Sequence, residues 1–187
     1  MHWTALLIAT GLGVAGAAQA KSPSTAENLQ LAAAEKLIDA FYSFDSAPLR
    51  TALRNAPKSM PVILYYQGWA EGGNYRVLDR QTCTLDKPNE ARCAITVKDD
   101  LIAALGTGYD VTDVFHISFE KNRITAVRTS SNDPPDMKQA FDWLTGKRPD
   151  MLKTAPCDGF FAGGPTPQAC VRAIVQGFKE FRARPQG

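Results

Sequence analysis

The sequence predicts an α+β domain, in which an antiparallel sheet packs on N-terminal helices and further helices follow at the C-terminus. Apolar residues recur at helical spacing from Ser24 to Phe44, and β-forming residues dominate from Val62 to Ser130. Helical spacing then returns in the last third of the chain. Because helices and strands are segregated along the chain, we expect the helices to gather on one face of a curved sheet.

The segment STAENLQLAAAEKLIDAFYSF predicts the first helix. Ser24 and Glu27 have the spacing of a capping box, in which each side chain binds the backbone N–H of the other residue. The apolar face of this helix comprises Ala34, Leu37, Ile38, Phe41 and Phe44. A second, shorter helix follows in APLRTALRN, with Asp45 or Ser46 as its cap.

The middle of the chain predicts strands, because Pro57 and Pro61 are expected to end helical structure. VILYYQGW is the first predicted strand, NYRVLDRQTCTL the second and ARCAITV the third, with a Gly-Gly turn after the first. KDDLIAALGTG then predicts a short helix or a bulged crossing. A hairpin follows, in which VTDVFHISF turns at Glu120 to Arg123 into ITAVRTS.

Two more helices are predicted after the hairpin. PPDMKQAFDWLTG begins with its prolines and ends at Gly146. In the last helix, Thr166 is the expected cap and Pro167 the first residue. Its apolar stripe comprises Val171, Ile174, Val175, Phe178 and Phe181.

Residues 1–20 contain no charged side chain and end in Ala18-Gln19-Ala20, which is typical of a signal peptide cleaved before Lys21. A retained membrane anchor is the alternative, because the apolar run is only slightly short of a bilayer span. The remaining residues, 21–187, have the length of one domain and bury roughly two-thirds of the surface of the unfolded chain. We therefore expect a periplasmic or secreted protein.

The 21 basic and 19 acidic residues are interspersed and give a net charge of +2. This balance argues against nucleic acid as a partner and against membrane binding after removal of the leader. Cys83, Cys93, Cys157 and Cys170 form an even set, which in an exported chain indicates disulfides. We predict the local pairs 83–93 and 157–170. Zinc is the alternative, but the sequence has neither a C-x-x-C motif nor a nearby histidine, so no metal is expected.

Three segments resemble the nuclear transport factor 2-like superfamily, near its polyketide-cyclase-like members: LIDAFYSFDSAPLRTAL, VTDVFHISFEKNRITAVRTS and FDWLTGKRPD. The resemblance spans roughly residues 26–184 and implies a single domain with a strongly curved, cone-shaped antiparallel sheet. Such hairpins often carry glycine where this chain has Asn122, and asparagine tolerates the same left-handed backbone. The superfamily includes isomerases, dehydratases, cyclases, immunity proteins and binding modules, so the resemblance leaves activity open.

His116 is the only histidine after the leader, which makes it the first candidate for a catalytic base. Alternate strand residues face opposite sides of a sheet, and Phe115, Ile117 and Phe119 form the apolar row that should join Ile124 across the turn. His116 is therefore expected on the outer face. The same argument predicts an exposed or dimeric outer surface at Val114, Ser118, Thr125 and Val127.

The candidate pocket residues are Tyr42, Tyr65, Tyr66, Trp69, Tyr75 and Trp143. Such side chains suit a small apolar ligand, although core packing is the alternative for each of them. On the predicted strand, Tyr65 and Tyr66 point to opposite faces, so that one of them faces the cavity. The resemblance implies that an enzyme of this superfamily places acid and base groups, such as Asp, His and Tyr, inside the cone.

The acidic residues have other expected roles. Asp45 is expected to cap a helix, and the Asp99-Asp100 pair is expected to serve the first turn of the short helix rather than a metal. Asp39 and Asp79 are the other acids whose position tests an enzymatic function. The glycines of GTG, residues 106–108, lack the pattern of a phosphate-binding loop.

These features lead us to expect an exported, non-catalytic domain that binds a small apolar ligand or a protein partner and uses no cofactor. Homodimerisation through the outer sheet face is one such interaction. The alternative is a cofactor-free isomerase, dehydratase or cyclase, which would place a hydrogen-bonded Tyr or Asp with a perturbed pKa inside the cone. A structural component of the cell envelope is a third possibility, and would show a large apolar patch instead of a pocket.

Overall fold

The structure is a computed structural model that describes residues 23–158 and 168–185. The predicted leader, the cap at Thr166 and the helix start at Pro167 lie outside these residues. In chain order, the described elements are α1 (Thr25–Tyr42), α2 (Ser46–Ala52), α3 (Met60–Gly72), β1 (Arg76–Arg80), β2 (Thr84–Lys87), β3 (Glu90–Lys98), α4 (Asp100–Leu105), β4 (Val111–Glu120), β5 (Arg123–Ser131), α5 (Pro135–Lys147) and α6 (Gln168–Ala183), with a 3₁₀ turn at Met151–Lys153.

The first two helices begin as the sequence predicts. The Ser24 backbone N–H donates to Glu27 Oε2 at 2.5 Å, and the Glu27 N–H donates to Ser24 Oγ at 3.3 Å, which completes the capping box. Asp45 caps α2 by accepting from the Ala47 N–H at 2.9 Å. The predicted apolar face of α1 is buried from Ala34 to Phe41.

The prediction of a first strand at Val62–Trp69 is wrong, because this segment forms most of helix α3. Pro61 lies in the first turn of the helix, where its missing N–H costs nothing, so it begins helical structure instead of ending it. A continuous apolar run is compatible with either a buried strand or a buried helix. Ile63, Gln67 and Ala70 lie at helical spacing and are buried, and this packing outweighs the β propensity of the segment.

Gln67 ties α3 to the end of α1. Its buried amide donates to the carbonyl oxygens of Ala40 at 3.0 Å and Phe41 at 2.9 Å. These carbonyls belong to the last turn of α1, where carbonyl groups have no intrahelical N–H donor. The side chain therefore caps α1 from the neighbouring helix.

The sheet contains five antiparallel strands, with β1, β3, β4 and β5 adjacent in that order and β2 also paired with β3. The sheet is open, because its edge strands β1 and β5 do not pair with each other. The predicted second strand is two strands, since β1 ends at Arg80 and β2 begins at Thr84. The predicted short helix is α4, and Gly106 ends it with a left-handed φ of 70°.

The β4–β5 hairpin confirms the predicted faces of β4. Phe115, Ile117 and Phe119 are buried, and His116 lies on the opposite face, directly between Arg92 of β3 and Arg128 of β5. Asn122 adopts a φ of 61° in the turn, as expected for its left-handed position.

The expectation of an exposed Val127 is wrong. The register shifts between Ser118 and Phe119, and Val127 consequently pairs with Ile117 and is buried on the inner face. A bulge of this kind changes which residues face inward after it.

The C-terminal helices pack beside α3 and α4, and the predicted stripe of α6 is buried. α5 begins and ends within one residue of its predicted bounds. Disulfides join Cys83 to Cys93 and Cys157 to Cys170, which are the local pairs expected from the sequence. Two disulfides are compatible with an exported protein.

Candidate functional site

The inner face of the sheet carries a buried carboxylate at Asp113, two residues before Phe115 on β4. Its side chain is 0% exposed. Tyr42 of α1 donates its hydroxyl to Asp113 Oδ2 at 3.0 Å, and Tyr66 of α3 donates to Oδ1. Asp113 therefore links one strand to two helices, and each of its oxygens accepts a tyrosine hydrogen bond.

The pKa of Asp113 reflects a balance between burial and hydrogen bonding. Burial raises its pKa to about 6, against the opposing effect of the two tyrosine hydrogen bonds, and the charges of Asp133 and Asp99 raise it further. Burial and the Asp113 charge also raise the pKa of Tyr42 and Tyr66 far above the usual value. Near neutral pH the cluster is thus a carboxylate held by two neutral phenols.

Beside this cluster lies a cavity of about 220 Å³ with a largely aromatic wall. Its lining residues are Tyr65, Tyr66, Trp69, Tyr75, Ser131, Asp133, Met137 and Phe141. Both Tyr65 and Tyr66 contribute because they lie on a helix, where successive residues are separated by about 100° rather than 180°. The expectation that only one of them faces the cavity is therefore wrong, and its cause is the strand assigned to α3.

The rings of the cavity wall are fixed by contacts with one another. The Trp69 indole Nε1–H donates to the Tyr75 hydroxyl at 3.3 Å, and the Trp69 ring stacks on Phe141 at 6.0 Å between centroids. Tyr66 packs against Phe41 at 5.3 Å, and Phe141 meets Phe178 edge-on at 5.0 Å. The aromatic wall is consequently built from α3, from Tyr75 just before β1, and from α5, with rings in preferred aromatic geometry.

The polar side of the cavity is acidic. Asp133 is exposed, and Ser131 donates its hydroxyl to Asp133 Oδ2 at 2.6 Å. Burial raises the pKa of Tyr75, and the charges of Asp99, Asp113 and Asp133 raise it further, so three carboxylates act on this one hydroxyl. Among the described residues that line the cavity there is no Lys, Arg or His.

The remaining predicted pocket residues lie elsewhere. Tyr42 binds Asp113 and is not part of the cavity lining. Trp143 packs edge-on against Phe181 of α6 at 5.9 Å, also outside the lining. The sequence did not predict five residues of the site: Asp113, Ser131, Asp133, Met137 and Phe141. Of these, only Asp113 had a signal in the sequence, because strand alternation places it on the same face as Phe115.

The other acids take structural or solvent-exposed positions. Asp39 pairs with Arg80 at 2.5 Å and its side chain is 64% exposed. Asp79 is exposed on β1, and Asp99 caps α4 by accepting from the Ile102 N–H at 2.8 Å. Burial raises the pKa of Asp99 to about 6. Within residues 23–158 and 168–185, no group of His, Cys, Asp and Glu is arranged to hold a metal ion.

Larger grooves on the surface lack these chemical features. One of about 450 Å³ lies between α4 and α6, and one of about 670 Å³ runs from α1 and α2 to the β4–β5 turn. No described residue in the lining of either groove is aromatic. We therefore take the aromatic cavity, together with the Asp113 cluster, as the candidate site.

Comparisons with family models, curated proteins and solved structures found no match to this chain. Across the part of the chain that the structure describes, no helix combines the length and apolar character needed to cross a membrane.

Proposed function

We propose that this protein is an exported binding domain that holds a small, largely apolar ligand in the aromatic cavity without transforming it. The observation that carries this proposal is the lining, which combines five aromatic rings and a methionine with two polar residues. Small-molecule sites commonly have this composition, with many apolar contacts and a few polar groups that orient the ligand.

The position of Asp113 favours binding over catalysis. A general base must bring a free lone pair within hydrogen-bond reach of the proton that it removes. Asp113 is fully buried, is absent from the cavity lining, and already accepts a hydrogen bond at each oxygen. In this proposal, Asp113 links β4 to α1 and α3 behind the cavity and fixes their relative positions.

A second candidate function is proton-transfer catalysis, and one observation favours it. Tyr66 both lines the cavity and donates to Asp113, whose pKa is raised to about 6. A ligand proton could therefore reach the carboxylate through the Tyr66 hydroxyl. This function requires Tyr66→Phe and Asp113→Asn to abolish deuterium exchange from solvent into a bound ketone, and exchange that persists in both variants would exclude it.

We further propose that the domain is a member of the nuclear transport factor 2-like superfamily with a strongly curved sheet. Helices α1 and α3 on the inner face support this assignment, as do register shifts in β1, β2 and at the β4–β5 pair. Such bulges bend strands and increase their twist. An experimental structure with a flat sheet would contradict it.

The proposed export is tested on the secreted or periplasmic fraction. N-terminal sequencing should find a chain that begins at Lys21, and non-reducing peptide mapping should recover both disulfides. A chain retained in the membrane with its leader intact would contradict cleavage.

Ligand binding is tested by two-dimensional NMR on the chain from Lys21, which contains only two tryptophans, Trp69 and Trp143. Benzyl alcohol, phenol and indole are suitable probes, because they match an apolar cavity of this size. We expect them to shift the Trp69 indole N–H signal in a saturable manner and to leave that of Trp143 unchanged. Equal shifts in both signals, or none, would contradict the proposed site.

A pair of variants on α5 provides the control. Phe141→Ala removes a ring of the cavity wall, and Trp143→Ala removes a ring of similar kind two residues later that faces α6. Binding should weaken severalfold in the first variant and persist in the second, since a cavity site depends on the first ring alone. Equal losses would indicate a general effect on stability.

A further inference from the structure

The aromatic cavity has an electrostatic character that a purely apolar site does not need. Its lining combines five aromatic side chains with the carboxylate of Asp133. Rings within about 6 Å of a cation attract it through their quadrupole, and most strongly where water is excluded. The combination of several rings with a carboxylate at the rim is the arrangement that recognises alkylammonium groups.

Among the described residues, no basic side chain pairs with the acids around the cavity. Asp99, Asp113 and Asp133 all act on the Tyr75 hydroxyl, and none of them forms an ion pair within the described residues. Asp113 and Asp133 instead accept hydrogen bonds from neutral hydroxyls. An anionic ligand would be repelled by Asp133 in the lining, whereas a cation would be attracted to it.

We propose that the ligand is an organic cation whose alkylated ammonium head sits among Tyr65, Tyr66, Trp69 and Phe141, with Asp133 as its counter-charge. This inference rests on the proposed binding function and specifies the ligand class. Ser131 orients the Asp133 carboxylate by donating its hydroxyl to Oδ2 at 2.6 Å.

The main alternative is a neutral aromatic or aliphatic ligand held by contact area alone. The two classes differ in charge, since a quaternary carbon and a quaternary nitrogen that carry the same methyl groups have nearly the same shape. Choline and 3,3-dimethylbutan-1-ol form such a pair, and 3,3-dimethylbutanoate adds an anionic counterpart. Comparison of the three separates charge from shape.

The experiment measures the affinity of these three probes and of tetramethylammonium for the disulfide-bonded chain from Lys21, by the Trp69 indole signal and by calorimetry. We expect choline to bind about tenfold or more tightly than its neutral isostere, which corresponds to a single desolvated cation–π contact. The anion should show no binding. Benzyl alcohol and indole serve as neutral probes of the cavity itself.

Asp133→Asn tests the counter-charge, because this exposed side chain can change without disturbing the core. It should lower choline affinity several-fold and leave the neutral isostere unaffected. Asp136→Asn is the matched control, since this exposed acid lies three residues later and outside the lining. Asp136→Asn should leave the affinities for choline and for its neutral isostere unchanged.

The outcomes separate the two proposals. Equal affinity for choline and its isostere, or a preference for the anion, would overturn the organic-cation class while leaving the binding function in place. Absence of binding by every probe, including benzyl alcohol and indole, would overturn both. A choline preference that survives Asp133→Asn unchanged would overturn the role given to Asp133.

Discussion

Asp113→Asn should remove a large part of the pH dependence of stability. The folded protein raises the pKa of this carboxyl from 3.8 to about 6. The folded state therefore binds more protons than the unfolded state between these values, and the free energy of unfolding falls as pH rises through this window. A shift of about 2 units corresponds to about 3 kcal/mol, and about 2 to 3 kcal/mol of this develops between pH 4 and pH 7.

The assay is urea unfolding at pH 4, 5, 6 and 7 with both disulfides intact. Groups that do not interact with Asp113 contribute equally to both proteins, so the difference between wild type and variant isolates position 113 together with its coupling to Asp99 and Asp133. From pH 4 to pH 7, the free energy of unfolding of the wild type should fall by about 2 to 3 kcal/mol more than that of Asp113→Asn. A slope that remains in the variant is expected from Asp99, whose pKa is also raised to about 6.

Two results would refute this reasoning. A constant difference between wild type and variant across the pH range would mean that Asp113 titrates normally. A wild type that gains stability relative to the variant as pH rises would mean that its two tyrosine hydrogen bonds outweigh burial. Asp136→Asn, at an exposed position, should follow the wild-type curve and provides the control.

Two further predictions use matched pairs. Gly177→Ala should destabilise the protein by about 1 to 3 kcal/mol in urea unfolding, because its Cβ would lie 2.5 Å from Leu144 Cδ1. In the control variant Gly146→Ala, the added Cβ meets no described atom within 4 Å, and stability should be unchanged or higher. Equal effects of the two substitutions would contradict the close α5–α6 packing. Phe115→Ala should lower the free energy of unfolding by about 3 to 5 kcal/mol, and His116→Ala by less than about 1 kcal/mol, because these neighbours face opposite sides of β4. Thermal or urea unfolding measures both, and a large effect of His116→Ala would contradict the register of β4.

The sequence predicted the hairpin, the capped N-terminal helices, α4 and both C-terminal helices, because each carries a local signal. It failed at α3, where β-branched and aromatic residues form a continuous apolar run without clear periodicity. The decision between helix and strand in this segment depends on contacts distant in sequence, namely the packing of α3 on α6 and the hydrogen bonds from Gln67 to the end of α1. That single error also produced the wrong orientation of Tyr65 and Tyr66.

The candidate site was only partly predictable for a related reason. Asp113 shares the parity of Phe115 and Ile117, so strand alternation alone predicts an inward carboxylate. Its partners Tyr42 and Tyr66 lie 71 and 47 residues away, and no local pattern indicates this pairing. The contribution of Phe141 likewise follows from where α5 packs, which the spacing of its own residues does not determine.

The amide of Gln67 restrains the helix that forms one wall of the cavity. The Gln67 side chain donates to two carbonyls at the end of α1. Helix α3, which carries Tyr65, Tyr66 and Trp69, is therefore joined to α1 by hydrogen bonds as well as by apolar contacts. The opposite wall comes from α5, whose first turn has no side-chain cap and contributes the flexible Met137. We therefore expect a ligand to enter by displacing the start of α5, with amide hydrogen exchange faster there than along α3.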